Sequence, residues 1–129
     1  MSSNRITAGI AKEALTAFRF VEVNSADEKI DMADSAGAKA LGVVVADHAA
    51  EATCQVVVEG FVSVDFAEAA EAYDEITTDA SGKAILADTT GHNKLGYYCP
   101  LPYNGAMGDI ASGERGRIYL YGNKNSLVP

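Results

Sequence analysis

The stretch at residues 53–66, TCQVVVEGFVSVDF, decides the fold class of this chain. Its first half is an apolar run typical of a strand buried on both faces, and its second half alternates apolar with polar residues. Gly60 separates the halves, and a glycine inside such a pattern commonly marks a bulge or a sharp bend. The stretch therefore predicts two strand segments that meet at Gly60.

Further strand-like segments lie on both sides of this stretch. They are residues 18–23 (FRFVEV), 29–32 (KIDM), 40–46 (ALGVVVA), 75–78 (EITT), 83–86 (KAIL), 95–99 (LGYYC) and 115–121 (RGRIYLY). Turn clusters rich in Asp, Asn and Gly separate them. Short strands at intervals of roughly 8–12 residues predict a mainly β fold, either a small β-barrel or a β-sandwich.

Two segments have the composition of a helix, residues 10–15 (IAKEAL) and residues 67–72 (AEAAEA). Each spans less than two helical turns, which is too short for a stable isolated helix. We therefore expect short helical turns at most. A chain of 129 residues falls within the usual size of one domain, so a single domain is expected.

The charge of the chain limits its partners. It carries 18 acidic against 10 basic residues, a formal net charge of −8. The basic residues are scattered, and no stripe of them could neutralise a run of phosphates. Direct binding to nucleic acid and binding to an anionic membrane surface are therefore not expected.

The sequence also indicates a compartment. The start, MSSNRITA, has no apolar core of a signal peptide, and no run of about 18 apolar residues could span a membrane. The two cysteines, Cys54 and Cys99, are too few for a disulfide scaffold. Cys54 lies in an apolar strand, so a buried free thiol is expected, as suits a reducing cytoplasm.

Motifs of known catalytic chemistry are absent from the sequence. There is no GxGxxG, GxxxxGK[ST], HExxH, GxSxG or CxxC. His48 and His92 are the only histidines available as a catalytic base, and both lie in polar, turn-like stretches. A zinc site made by these histidines with Cys54 and Cys99 has the right ligand count but not metal-ligand spacing. We therefore expect no catalytic residues and no metal or other cofactor.

Acidic residues cluster at turns, notably Asp74, Glu75 and Asp79. Paired carboxylates can perform acid–base chemistry or bind calcium. These residues lack the alternating oxygen ligands of a dedicated calcium loop, so a solvated surface is the expected role. An enzyme acting through Asp74 or Asp79 stays an alternative, to be tested by replacing either residue with Asn.

The tyrosines suggest an interaction surface. In a strand at residues 115–121, Ile118 and Leu120 point to one face while Tyr119 and Tyr121 point to the other. If the aliphatic pair faces the core, the tyrosines form an outward aromatic face, and tyrosine is favoured at protein interfaces. A strand buried on both faces is the alternative.

The order of these motifs resembles the phage capsid cement, or head decoration, proteins of the small β-rich type. Residues 56–64 (VVVEGFVSV) are similar to the family pattern V-x-x-x-G-x-V-x-V, and residues 41–45 (LGVVV) to its "hGVh" strand. Residues 73–84 (YDEITTDASGKA) are similar to Gly-Asp-x-h-Thr-Thr-Asp-x-x-Gly-+-Ala, although Tyr73 replaces the usual glycine. The likeness continues to residues 113–120 and covers roughly residues 6–121. The loop at residues 100–107 has no counterpart in the family.

The resemblance implies a structural virion protein rather than an enzyme. Such proteins bind the outer surface of the expanded phage head, usually as homotrimers at three-fold positions, and stabilise the capsid against internal DNA pressure. The partners implied are the major capsid protein and further copies of the chain. Synthesis in the host cytoplasm is implied as well. On this basis the chain divides into an N-terminal arm, residues 1–16, and a β-rich decoration domain, residues 17–129.

The resemblance also implies two sets of site residues. An extended N-terminal arm often pairs with the capsid lattice, which assigns capsid binding to Arg5, Ile6, Thr7, Ala8, Gly9 and Ile10. A frayed terminus is the alternative for this segment. Trimer contacts are assigned to Tyr97, Tyr98, Tyr119 and Tyr121. A different function, a carbohydrate- or ligand-binding module, would use Tyr97, Tyr98 and Tyr103 as a stacking platform.

Overall fold

A computed structural model describes residues 4–100, 108–122 and 126–129 of the chain. Eleven strands form within those residues. They are β1 Arg5–Ile10, β2 Arg19–Val23, β3 Ile30–Met32, β4 Gly42–Val44, β5 Thr53–Asp65, β6 Glu75–Thr78, β7 Ala84–Leu86, β8 Asn93–Lys94, β9 Gly96–Tyr98, β10 Arg115–Leu120 and β11 Ser126–Leu127.

The longest strand, β5, covers all but the last residue of the stretch at residues 53–66. It runs unbroken for 13 residues, so Gly60 joins the two expected segments rather than ending one of them. Gly60 has a φ of +109°, a region that glycine enters without steric cost. Before Gly60, β5 pairs with β1 and β4, and from Gly60 onward it pairs with β10. Gly60 is therefore the point where β5 changes partners.

The strands form one large antiparallel sheet with β5 near its middle. The order is β3-β2-β4-β5-β10-β9-β6-β7, with β1 added along β5, and the sheet curls into a half-barrel. A separate pair of short strands, β8 and β11, lies outside this sheet. The expected mainly β, barrel-like fold is confirmed.

Two clusters of buried side chains support the curled sheet. The larger contains Phe20, Phe66, Ile76 and Ile118, and the smaller contains Leu15, Val21, Val44 and Val56. Phe20 and Val21 are neighbours on β2, and because side chains of a strand alternate between faces they enter different clusters. Each fully buried aliphatic or aromatic side chain contributes about 1.5–3 kcal/mol of transfer free energy.

The segments with helical composition are not helices. Residues 10–15 end β1 and then form single backbone bridges, from Ala11 to Ile30 and from Leu15 to His48. Residues 67–72 form bends, with Ala70 bridged to Ile110. In the described part of the chain, no helix has the length and apolar character required to cross a membrane.

The N-terminal residues lie on the chain's own sheet. Arg5–Ile10 forms β1 along β5, and Ala11 and Leu15 are buried in the smaller cluster. The division between an arm at residues 1–16 and a domain at residues 17–129 stays a prediction.

Candidate functional site

Strand β1 combines an exposed surface with apolar side chains. All its residues are exposed except the half-buried Gly9, and Ile6 and Ile10 are 54% and 40% exposed. Strand alternation places Ile6, Ala8 and Ile10 on the same side. Among the described strands β1 pairs only with β5, so it is an edge strand of the kind that accepts an added strand.

The start of β1 is fastened to β5 by a polar side chain. Asn4 donates from Nδ2 to the carbonyl of Phe61 at 2.7 Å, and its Oδ1 accepts the Phe61 N–H at 3.1 Å. Next to it, the Arg5 guanidinium pairs with Glu59 at 3.5 Å. Exposed ion pairs contribute little, so the two Asn4 hydrogen bonds are the stronger fastening.

A groove of about 560 Å³ opens beside the start of β1. On one side lie residues 5–7 of β1, and on the other lie Val23 and residues 39–41. Val58 and Leu41 also line it, and both pack with the smaller buried cluster. The groove thus reaches the core from the surface.

Strand β10 has the two faces that its sequence predicts. Ile118 and Leu120 are buried in the larger cluster, while Tyr119 and Tyr121 lie half-buried on the other face. The predicted orientation of these four side chains is confirmed. The alternative of a strand fully buried on both faces is wrong.

The outward tyrosines belong to a continuous aromatic row, defined here as Phe61, Tyr73, Tyr97, Tyr119 and Tyr121. Ring centroids lie 5.1 Å apart for Phe61–Tyr119, 5.6 Å for Tyr97–Tyr119, 6.0 Å for Tyr97–Tyr121 and 6.1 Å for Tyr73–Tyr97. Arg117 covers the Phe61 ring at 4.4 Å, a cation–π contact. The row crosses β5, β10 and β9 and ends at the exposed Tyr73.

Tyr98 does not lie on this row. It follows Tyr97 on β9 and points to the opposite face, where it is 5% exposed and meets Phe66 edge-to-face at 5.3 Å. Its ring is part of the larger core cluster, which leaves it unavailable for a surface contact. The predicted stacking platform therefore lacks one of its three rings, and Tyr103 lies outside the described residues.

Polar groups fix one end of the aromatic row. The Tyr121 hydroxyl donates to Glu75 Oε2 at 2.9 Å, and Lys94 pairs with Glu75 Oε1 at 3.2 Å. Burial, and then the neighbouring Glu75 carboxylate, raise the pKa of Tyr121 well above its usual value. Burial likewise raises the pKa of Tyr97. Tyr97 and Tyr121 therefore stay uncharged at neutral pH.

Asp74 and Asp79, two of the carboxylates considered for catalysis or metal binding, accept hydrogen bonds from nearby backbone N–H groups. Asp79 Oδ1 accepts the N–H groups of Ser81 and Lys83, and Asp74 Oδ2 accepts that of Glu71. His48 exchanges backbone hydrogen bonds with Leu15. Within residues 4–100, 108–122 and 126–129, no group of three or more His, Cys, Asp or Glu side chains could hold a metal ion.

The two cysteines are free. Cys54 is buried in the smaller cluster, and burial raises the pKa of its thiol. Cys99 is half-buried, and Arg117 Nη2 lies 3.7 Å from its sulfur.

Sequence reasoning missed three parts of these surfaces. The sequence does not indicate that Asn4 holds β1 against β5, because its hydrogen-bond partner Phe61 lies 57 positions away. Lys39 stands in a segment without regular structure, so only the fold places it at the groove. Phe61 and Tyr73 were open to prediction, because Phe61 alternates with buried valines and Tyr73 departs from the family's glycine.

Comparison with known proteins identifies both a family and a fold. A family model described as phage cement protein matches residues 2–100. No curated protein matches the chain. A solved structure, the head fiber gp8.5 N base of bacteriophage phi29, is similar with a TM-score of 0.67 at 17% sequence identity. That match covers 92% of this chain and 94% of the other, and at this identity it shows a shared fold.

Proposed function

Because the chain belongs to the phage cement protein family, we propose that it binds the outer surface of the expanded phage head as a homotrimer at three-fold positions. There it stabilises the capsid against the pressure of packaged DNA. Its role is structural and non-enzymatic. Its partners are the major capsid protein and other copies of itself, and it is made in the host cytoplasm before joining the virion.

The observation that carries this proposal is the exposed edge strand β1. A solvent-exposed strand that carries apolar side chains and, among the described strands, pairs on one side only is a liability in an isolated protein, because it invites pairing with other chains. It is useful in a protein that is added to a lattice, where a capsid segment pairs along it. Capsid binding is accordingly assigned to Arg5–Ile10, the residues of β1.

The aromatic row supports a second contact, between copies of the chain. Its rings lie on the face of the sheet opposite the core, and Tyr and Phe are enriched at protein interfaces. We assign trimer contacts to Tyr97, Tyr119 and Tyr121, extended by Phe61 and Tyr73. Tyr98 is left out because its ring is in the core.

Stabilisation follows from preferential binding. A protein that binds the expanded shell but not its dissociated subunits shifts the equilibrium toward the shell. Many copies on one lattice then sum to a large effect even if each contact is modest. The net charge of −8 is compatible with an outer position, because it gives no attraction to the packaged genome.

The test is co-sedimentation of the purified protein with expanded and with unexpanded capsids of the same phage. We expect saturable binding to expanded capsids alone, together with a raised temperature of capsid disruption. Unbound protein and a non-cognate capsid serve as controls. Absence of binding to the expanded capsid would overturn the proposed function.

A further inference from the structure

The groove has β1 on one side and Val23 with residues 39–41 on the other. The two sides come together at one end of the groove and separate at the other. At the meeting end, Ala11 of the chain after β1 bridges to Ile30 of β3, and a Cβ on Gly9 would lie 2.8 Å from Ile30 Cγ1. No further segment fits there. At the other end, residues 5–7 stand apart from Val23 and Leu41, and the groove of about 560 Å³ lies between them.

The floor of the groove is apolar and continuous with the core. Val58 belongs to the smaller buried cluster, and Leu41 packs against it. Ile6 and Val23, both largely exposed, form the upper walls. The volume lies in the range of about 300–1,000 Å³ that is common for binding pockets. A bulky apolar side chain placed there would extend the smaller cluster.

The mouth of the groove carries an exposed lysine on an acidic protein, a chain with 10 basic and 18 acidic residues. Lys39 and Arg5 both line the groove, and Arg5 pairs with Glu59 at 3.5 Å, so Lys39 supplies the uncompensated charge. Lys39 is exposed, and within the described part of the chain it forms no ion pair. An occupant with a carboxylate next to its apolar side chain therefore matches both the floor and the mouth.

We propose that the groove receives an extended segment of the major capsid protein, with a bulky aliphatic or aromatic side chain inside it and a carboxylate facing Lys39. This inference rests on the proposed function and adds the chemistry of the partner. The segment is extended because it lies against β1, and the side of β1 that pairs with no described strand offers backbone hydrogen bonds. Burial of its apolar side chain gives affinity, and Lys39 selects the acidic neighbour.

Two variants test the groove, each with a matched control. Lys39→Glu reverses the charge at the mouth, and Lys83→Glu makes the same change at a lysine away from the groove. Thr7→Trp fills the groove from its β1 wall, and Thr89→Trp places the same ring at an exposed threonine away from the groove. Each protein is checked for an unchanged melting temperature and oligomeric state, then titrated onto expanded capsids at several salt concentrations.

We expect Lys39→Glu to weaken capsid binding about tenfold or more at low salt, because a carboxylate would then face a carboxylate. The loss should shrink as salt rises, since ions screen the interaction. Thr7→Trp should weaken binding at every salt concentration. Both controls should bind as the unmodified protein does. Since Lys39 is an exposed residue, its variant remains informative even if Thr7→Trp folds poorly.

Three outcomes overturn the inference, and they are distinguishable. If the unmodified protein binds expanded capsids and both groove variants bind equally well, the groove is not the contact while the proposed function stands. If the groove variants lose self-association, the occupant is a second copy of the chain. If the unmodified protein does not bind expanded capsids, the proposed function and this inference fail together.

Discussion

At the scale of single residues, two glycines allow neighbouring strands to approach closely. A Cβ on Gly96 would lie 2.1 Å from the carbonyl oxygen of Tyr119, and a Cβ on Gly42 would lie 2.1 Å from that of Val57. In each case the obstructing atom belongs to backbone in a paired strand. Any side chain at these positions must therefore push two strands apart.

Replacement of Gly96 with Ala should destabilise the fold by about 1–3 kcal/mol, the usual effect of overpacking a well-packed interior. Urea unfolding followed by circular dichroism measures the change. Gly108→Ala is the matched control, since a Cβ there meets no atom of the described residues within 4 Å. Equal midpoints for the two variants would contradict this account of Gly96.

The face of a side chain was predictable where the strand period was applied. Alternation assigned Ile118 and Leu120 to one face and Tyr119 to the other, as observed, and the structure shows that the aliphatic pair faces the core. The same rule forbids neighbours on one strand from sharing a face, so Tyr97 and Tyr98 could not both belong to one surface. Which of the two is buried follows only from the pairing of β9 with β10.

At the scale of elements, β1 depends on its first fastening point. Its side chains are exposed on both faces, so hydrophobic burial holds it only weakly. Asn4 supplies two hydrogen bonds to Phe61 just before the strand begins.

Loss of this fastening should loosen β1 without unfolding the sheet. For Asn4→Ala we expect faster hydrogen exchange at the amides of residues 5–8, a melting temperature within a few degrees of the original, and weaker capsid binding. Net contributions of about 0.5–1.5 kcal/mol per hydrogen bond set the scale. Asn24→Ala, which removes a side chain bonded to Asp31 and Ala26, controls for the loss of an amide elsewhere. Unchanged exchange in β1 would refute the role of Asn4.

Most strands were predictable, and the exceptions share physical causes. β8 and β11 have two residues each, too few to show any periodicity. β5 was divided at Gly60 because sequence cannot reveal that pairing continues through a residue at positive φ. The pairing of β1 along β5 was not foreseen, because RITAGI buries neither face and so has no pattern to detect.

At the scale of the whole molecule, the aromatic row has a consequence for assembly. If three copies meet through it, Tyr119, an inner residue of the row that contacts the rings of Phe61 and Tyr97, also faces the partner chain. Aromatic residues at the centre of an interface often contribute about 2 kcal/mol or more to binding.

Tyr119→Ser should therefore shift the protein from trimers toward monomers at micromolar concentration. Sedimentation velocity across a dilution series measures this shift. Val45→Ser is the control, because Val45 is an exposed apolar residue that lies away from the row. Trimers that persist in Tyr119→Ser at the dilution where Val45→Ser remains trimeric would exclude the row as the contact.

The unbroken course of β5 determines how the molecule carries mechanical load. β1 pairs with residues 53–59 of β5 and β10 with residues 60–65, so one covalent strand links the two ladders. A tensile force applied between β1 and β10 along the strand axis acts in shear, and it loads all the hydrogen bonds of a ladder together. A force across the strands would instead peel those bonds apart one after another. The protein should thus resist stretching along β5 far better than across it.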